Sequence, residues 1–265
     1  MIKFFRRIRQ SLLSENKVSK YLIYAIGEII LVVIGILIAL QVNNWNQSNQ
    51  QKVIEQTYLT NLLSDLRDQQ SSIEIQLKEE QFFFETAGYI IKDFEKNKTL
   101  TLDSTFFSRA SELRSRKTFV ITDPTYTDLI SSGNINILQN SNLKDKLIKY
   151  YQELERIEKV LQNNNSLLVD QVYLANYQKL GYDILSDLTS ISERPVLHKH
   201  MVFPNYEPKL EEIAKKILSN ENHLLEFMNN ISVRNSVAIG NYLFIKELQT
   251  TTNQLIKELQ TIIND

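Results

Sequence analysis

Tyr21–Val42 reads YLIYAIGEIILVVIGILIALQV, twenty-two residues that are apolar throughout except for Glu28 and Gln41. At ~1.5 Å rise per residue, a helix of this length crosses a ~30 Å hydrocarbon core. A short basic arm precedes it, and a long polar stretch patterned for helices follows. The fold class this implies is all-α: an N-terminal transmembrane helix followed by an elongated antiparallel helical bundle. Three regions follow from the same reading: a basic amphipathic cytoplasmic arm over 1–20, a transmembrane helix over 21–42, and a periplasmic helical bundle domain over 43–265.

In the arm, Phe4, Ile8 and Leu12 recur every four residues while Lys3, Arg6, Arg7 and Arg9 take other faces. That pattern suits a helix lying on anionic headgroups, and it equally suits a basic flank that sets topology. Both readings keep the positive side in the cytoplasm and export the residues after Val42. The apolar run exceeds the ~7–15 residues of a signal peptide, and no small-x-small site precedes Gln41-Val42-Asn43, so an uncleaved anchor is expected. Tyr21 and Tyr24 at one end and Trp45 at the other stand where interfacial aromatic belts form.

Within the span, Gly27, Gly35 and Ala39 fall at intervals of eight and four, and Gly35-x-x-x-Ala39 is a small-xxx-small pair that lets another helix approach closely. Glu28, two turns before Gly35, points nearly the same way and lies ~10 Å inside the boundary set by Tyr21. A carboxyl facing lipid there costs a few kcal/mol. Gly27, Glu28, Gly35 and Ala39 are therefore the expected assembly face, with a homo-oligomer or a partner membrane protein as the occupant. A proton- or ion-handling use of Glu28 is the alternative.

The arm, Glu15-Asn16-Lys17, Ser19-Lys20-Tyr21-Leu22, Tyr24–Ile29 (YAIGEI), Leu31–Gln41 (LVVIGILIALQ) and Asn43-Asn44-Trp45-Asn46 together resemble the opening of a Bacteroidota family. Its members are single-span inner-membrane proteins catalogued as a domain of unknown function. Tyr126–Gly133 (YTDLISSG), Ile137 to Asn140, and Tyr150-Tyr151 are similar to that family's middle segment. The resemblance implies a membrane anchor and places Glu28 within the pattern; it carries over no activity and no catalytic residue.

The formal net charge is −1, with Lys3, Arg6, Arg7, Arg9, Lys17 and Lys20 set against Glu15 alone in the first twenty residues. The remainder is acidic, which argues against nucleic acid as a partner. The chain has no cysteine, which excludes disulfides and thiolate chemistry. Six Gly and four Pro point to long helices and few turns.

From Asn46 to Asn97, Leu59, Leu66, Ile73, Ala87 and Phe94 keep seven-residue steps, with Leu63, Leu77, Phe84 and Ile91 between them. Nothing breaks the chain between Val42 and Gln47, so the membrane helix is expected to continue into this one. Phe82-Phe83-Phe84 is read as one or two core contacts plus a partly exposed ring. Asp103 is an expected N-cap; Asp123-Pro124 opens a helix that Gly133 closes. Asn140 or Ser141 caps a helix to about Lys179, interrupted at Asn163-Asn164-Asn165, with Asn164 on the apolar face. Residues 181–207 are the least regular, and His198-x-His200 reads as surface loop because no carboxylate–histidine pattern accompanies it. After Pro208, Leu210, Ile217, Leu224, Ile231, Ala238, Ile245 and Leu259 keep the heptad, missed at Thr252, with a bend or break near Ser219-Asn220.

Glu79-Glu80 and Glu211-Glu212 read as pairs splayed into solvent. No P-loop, dinucleotide, nucleophile-elbow or zinc spacing is present, so no enzyme activity and no cofactor or metal is expected. The expected role is a membrane-anchored, non-enzymatic periplasmic interaction or sensing module. Its partners are the lipid bilayer and a second membrane helix, and the 181–207 loop offers a third reading as an envelope scaffold.

Overall fold

The structure is a computed structural model that describes residues 18–182 and 207–264; the side chains of residues 18–21 and 24 lie outside the description. It is all-α, with no strand among the described residues. The helices are α1 (Val18–Asn97), α2 (Ser104–Glu112), α3 (Pro124–Ser131), α4 (Ser141–Asn163), α5 (Ala175–Leu180), α6 (Pro208–Leu218) and α7 (Glu221–Asn264). A 3₁₀ turn, Asn134–Ile137, precedes α4, and a π-helical segment, Asn164–Leu174, joins α4 to α5. The chain divides into two compact units, Met1–Tyr58 and Leu59–Asp265.

α1 contains no proline and only Gly27, Gly35 and Gly88, so nothing in its sequence interrupts a helix. In the first unit it is long and apolar enough to cross a membrane, and none of its most apolar window is buried. The large side chains from Leu22 to Val42 stand exposed, Val33 and Ile34 included, as does Trp45 at 66 %.

In the second unit α1 ends where Lys98 takes a left-handed φ of 58° and its N–H reaches the Phe94 carbonyl at 2.8 Å. Asp93 closes the turn, accepting from the Thr101 N–H at 2.8 Å. Asp103 caps α2 through the Phe106 N–H, and Asn140 caps α4 through Leu143, both as expected. Gly133 takes φ 73° after α3, the left-handed stop its position predicts. Asp123 sits at the N-cap of α3 without making the cap bond; Asp65 of α1 supplies it across the bundle, accepting from the Thr125 N–H at 2.9 Å.

Cross-bundle bonds fix the directions of the three long rods. Gln70 pairs with Asn253 and Glu80 with Asn241, so α7 runs antiparallel to α1. Tyr150 pairs with Thr252 and Asn176 with Asn230, so α4–α5 is also antiparallel to α7. The segment from α2 to the 3₁₀ turn carries the chain back between the two parallel rods. The heptad after Pro208 is used inside the bundle from Ile231 on, where Ile231, Ala238, Ile245, Thr252 and Leu259 are all buried; Ile217 and Leu224 are partly buried and Leu210 is exposed. Phe83 enters the core, Phe84 meets Tyr242 edge-on at 5.4 Å, and Phe82 stays partly exposed.

Gly181 ends α5 in an extended conformation with φ −104°. A Cβ there would collide with the Tyr177 ring, whose hydroxyl donates to the Tyr182 carbonyl at 2.7 Å. Gly181→Ala is therefore expected to displace that ring and cost about 1–3 kcal/mol, read as a lowered midpoint in urea. An unchanged midpoint would mean Tyr177 yields freely.

Candidate functional site

Two features stand out, one in each unit. The first is the helix face in the apolar stretch. At about 100° per residue, Glu28, Gly35 and Ala39 fall within about 40° of one another, with Gly27 about 80° from Gly35. Gly27 and Glu28 are half-buried, whereas Gly35 and Ala39 are exposed. A Cβ added at Gly27 or Gly35 would meet nothing within 4 Å, so neither glycine is required by packing in the single chain. A glycine inside a helix costs up to about 1 kcal/mol relative to alanine, so both positions hold the chain below its best helical stability. Tyr21 and Tyr24 lie in α1 with their side chains outside the description; Arg6, Arg7 and Arg9 lie outside the described residues.

The second feature is a polar layer across the middle of the bundle, which the sequence reading missed. Glu80 and Arg234 are each only 1 % exposed, and Asn241 and Gln76 are as deeply placed. The Glu80 carboxylate accepts at Oε1 from Gln76 Nε2 at 2.8 Å and from Asn241 Nδ2 at 3.2 Å. Asn241 accepts in turn from Asn164 at the head of the π-helical segment, at 2.8 Å. Asn164, expected on the apolar face, is half-buried and finds its partner in Asn241. Arg234 donates from Nε to the Leu113 carbonyl at 2.8 Å and from Nη2 to Ser115 at 3.1 Å, and its guanidinium lies 4.1 Å above the Phe83 ring. Burial raises the Glu80 carboxyl above its ordinary value, and Arg234 and the two amides pull it back without cancelling the effect.

Apolar core flanks the layer on both sides. Phe83, Ile90, Phe107, Tyr173 and Phe227 gather on one, and Leu66, Ile73, Leu154, Ile245 and Leu248 are buried on the other. Solvation of Glu80 contradicts its geometry, since its position 80 continues the line Leu59, Leu66, Ile73 into the core. Glu211 is likewise buried, in an ion pair with Lys215 at 2.6 Å, where the sequence suggested a solvated carboxylate.

Among the grooves elsewhere on this unit, two are of similar size. One of about 530 Å³ between α4 and α7 has Ile157, Leu248 and Leu255 on its floor and the Lys146–Glu258 ion pair, 2.7 Å, on its rim. The other, about 540 Å³, is polar and holds the Arg116–Asp170 pair, also 2.7 Å. Burial pushes the Tyr150 phenol beside the first groove up to about 12, partly offset by its bond to Thr252. His223 is exposed, its Nδ1 3.2 Å from the Ile217 carbonyl; His198 and His200 lie outside the described residues.

Residues 28–171 match a family described as "Family of unknown function (DUF6090)". No curated protein and no solved structure matches the chain.

Proposed function

With more than half of its length matched, the chain belongs to the family of unknown function DUF6090, and from its own residues we propose a membrane-anchored, non-enzymatic helical module that binds a partner or senses a condition outside the cytoplasm. The observation that carries this reading is the bare apolar surface from Leu22 to Val42. Such a surface is far beyond what a soluble monomer exposes, and lipid is its natural solvent. The basic arm at 1–20 sets the N-terminus in the cytoplasm of a bacterial inner membrane, which places the Leu59–Asp265 unit in the periplasm.

The Gly27, Glu28, Gly35 and Ala39 face joins the anchor to a second transmembrane helix, in a second copy or in a partner protein. Glu28 then sits at a helix–helix contact, where its cost in lipid is relieved. The bundle does the recognition, by shape and hydrogen bonding, and the chain acts through the partner it assembles with.

The chain has no cysteine, so single-cysteine reporters need no background removal. Ser48→Cys should react with a membrane-impermeant maleimide in intact spheroplasts, and Ser14→Cys only after permeabilisation. The reverse pattern would place the bundle in the cytoplasm and overturn the reading.

A further inference from the structure

We propose that the layer at Glu80 is a protonation-responsive latch: Arg234 holds the Leu113–Ser115 connector while Glu80 is neutral, and turns to Glu80 when that carboxyl loses its proton. The proposal rests on the sensing reading above and gives it a stimulus.

Two buried atoms of opposite character motivate it. Glu80 Oε2 has no hydrogen-bond partner, and neither has Arg234 Nη1. A neutral carboxyl tolerates such a place better, because Oε1 serves the two amides and Oε2, which then carries the proton, leaves only an uncharged hydroxyl unpaired. An anionic oxygen buried without a donor does not. The unused donor in the same layer is Arg234 Nη1, on a side chain that now spends Nε and Nη2 on the carbonyls of Leu113 and Ser115. The guanidinium is a rigid fork. Swinging it toward Glu80 gives up those two bonds.

The connector is poised to register that loss. In the turn that follows α2, two bonds are long, Leu113 N–H to Arg109 at 3.4 Å and Arg114 N–H to Ser111 at 3.3 Å, and a third, Ser115 N–H to Glu112, is of ordinary length at 3.0 Å. Arg234 is the side chain that fastens its carbonyls from across the bundle. Release frays this turn, whereas the Arg116–Asp170 pair and the bond from Asn165 to the Lys117 carbonyl hold the chain just beyond it. The response is thereby confined to a few residues.

Two charged groups face Glu80, namely Arg234 from α7 and Glu79 on its own helix, together with the amides of Gln76 and Asn241; the Tyr173 phenol of the π-helical segment acts on Arg234. Burial dominates and sets the folded carboxyl above its ordinary 4.5. Below that value Glu80 is protonated in both folded and unfolded chains and contributes no pH dependence. As pH climbs from there toward the folded value, the folded state retains a proton that the unfolded chain has released, and stability falls. The neutral, closed latch therefore belongs to the acidic side.

Hydrogen–deuterium exchange of the full-length protein in lipid nanodiscs tests this, at about pH 5 and about pH 8, corrected for intrinsic exchange. In the wild type the amides of Leu113–Ser115 should exchange roughly tenfold faster at the higher pH. Glu80→Gln should abolish the difference and Glu79→Gln should keep it. Equal corrected protection at both pH values in the wild type overturns the latch, as does the same pH change in Glu80→Gln. If Glu80→Gln fails to fold, the wild-type comparison decides alone. A flat response in a protein with the expected maleimide labelling removes the latch and leaves the anchored module standing.

Discussion

Arg234→Met is expected to lower the stability of the Leu59–Asp265 unit by about 3–5 kcal/mol, the range for removing one partner of a buried charged network. Methionine fills the aliphatic part of the space. It leaves the carbonyls of Leu113 and Ser115 without their donors, and it takes the cation from above the Phe83 ring and from the neighbourhood of Glu80. For a unit of this size the loss corresponds to a melting temperature lower by roughly 6–20 °C, followed by far-ultraviolet circular dichroism. Arg234→Lys keeps the charge but not the fork, and should recover less than half of the loss. Combining Arg234→Met with Glu80→Gln should cost less than the sum of the two, because both side chains belong to one buried layer and their effects are not independent. A loss under about 1 kcal/mol for Arg234→Met would mean the layer contributes little to the fold.

The helices themselves were legible, because apolar spacing is what a packed helix requires. The stripe Leu59, Leu66, Ile73 and Ala87 and the heptad from Ile231 to Leu259 became core lines, Phe94, Ile217 and Leu224 pack at the core's edge, Leu210 is exposed, and Asp103, Asn140 and Gly133 ended or began helices as their chemistry dictates. The polar layer was harder to see for the same reason. A periodicity reading registers apolar residues, so a polar residue on the line looks like a gap. Position 80 is the missing step between Ile73 and Ala87, and Thr252 the missing step between Ile245 and Leu259. Both are buried, Thr252 with its hydroxyl against that of Tyr150 at 2.9 Å.

Glu80 was hidden further by Glu79, since adjacent carboxylates resemble a solvated pair. Arg234 had a signal of its own: the parallel line Phe227, Arg234, Asn241, Leu248, Leu255 is buried throughout. Of its two polar members, Asn241 meets both Glu80 of α1 and Asn164 of the π-helical segment, and Arg234 reaches the carbonyls that follow α2. The matching of gaps between helices cannot be read until their register is known. The cap of α3 teaches the same lesson, because Asp123 has the local signature and Asp65, distant in sequence, does the capping. Asn163-Asn164-Asn165 announced an interruption of α4, and the structure answers with a π-helical segment that starts at Asn164. Such segments are rare and frequent at functional sites.

In the membrane face, a bulky side chain should have its effect on assembly alone. A Cβ at Gly35 meets nothing within 4 Å in the single chain, so Gly35→Leu leaves the anchor helical and slightly more apolar. If another helix lies against Gly35 and Ala39, leucine holds the backbones apart and removes the close contact on which association in lipid depends. Glu28→Ala removes a hydrogen-bonding group from the same face, for a loss on the order of 1–2 kcal/mol, or roughly tenfold in association. Glu28→Gln retains the hydrogen bond and should assemble normally, whereas a proton-handling role would not survive it.

Native mass spectrometry of the gently solubilised full-length protein tests the anchored, assembling helix most directly. An assembling anchor gives a complex of defined stoichiometry, with a second copy or with a co-purifying membrane partner, that both Gly35→Leu and Glu28→Ala dissociate. A monomer, or a complex that neither substitution disturbs, would contradict it.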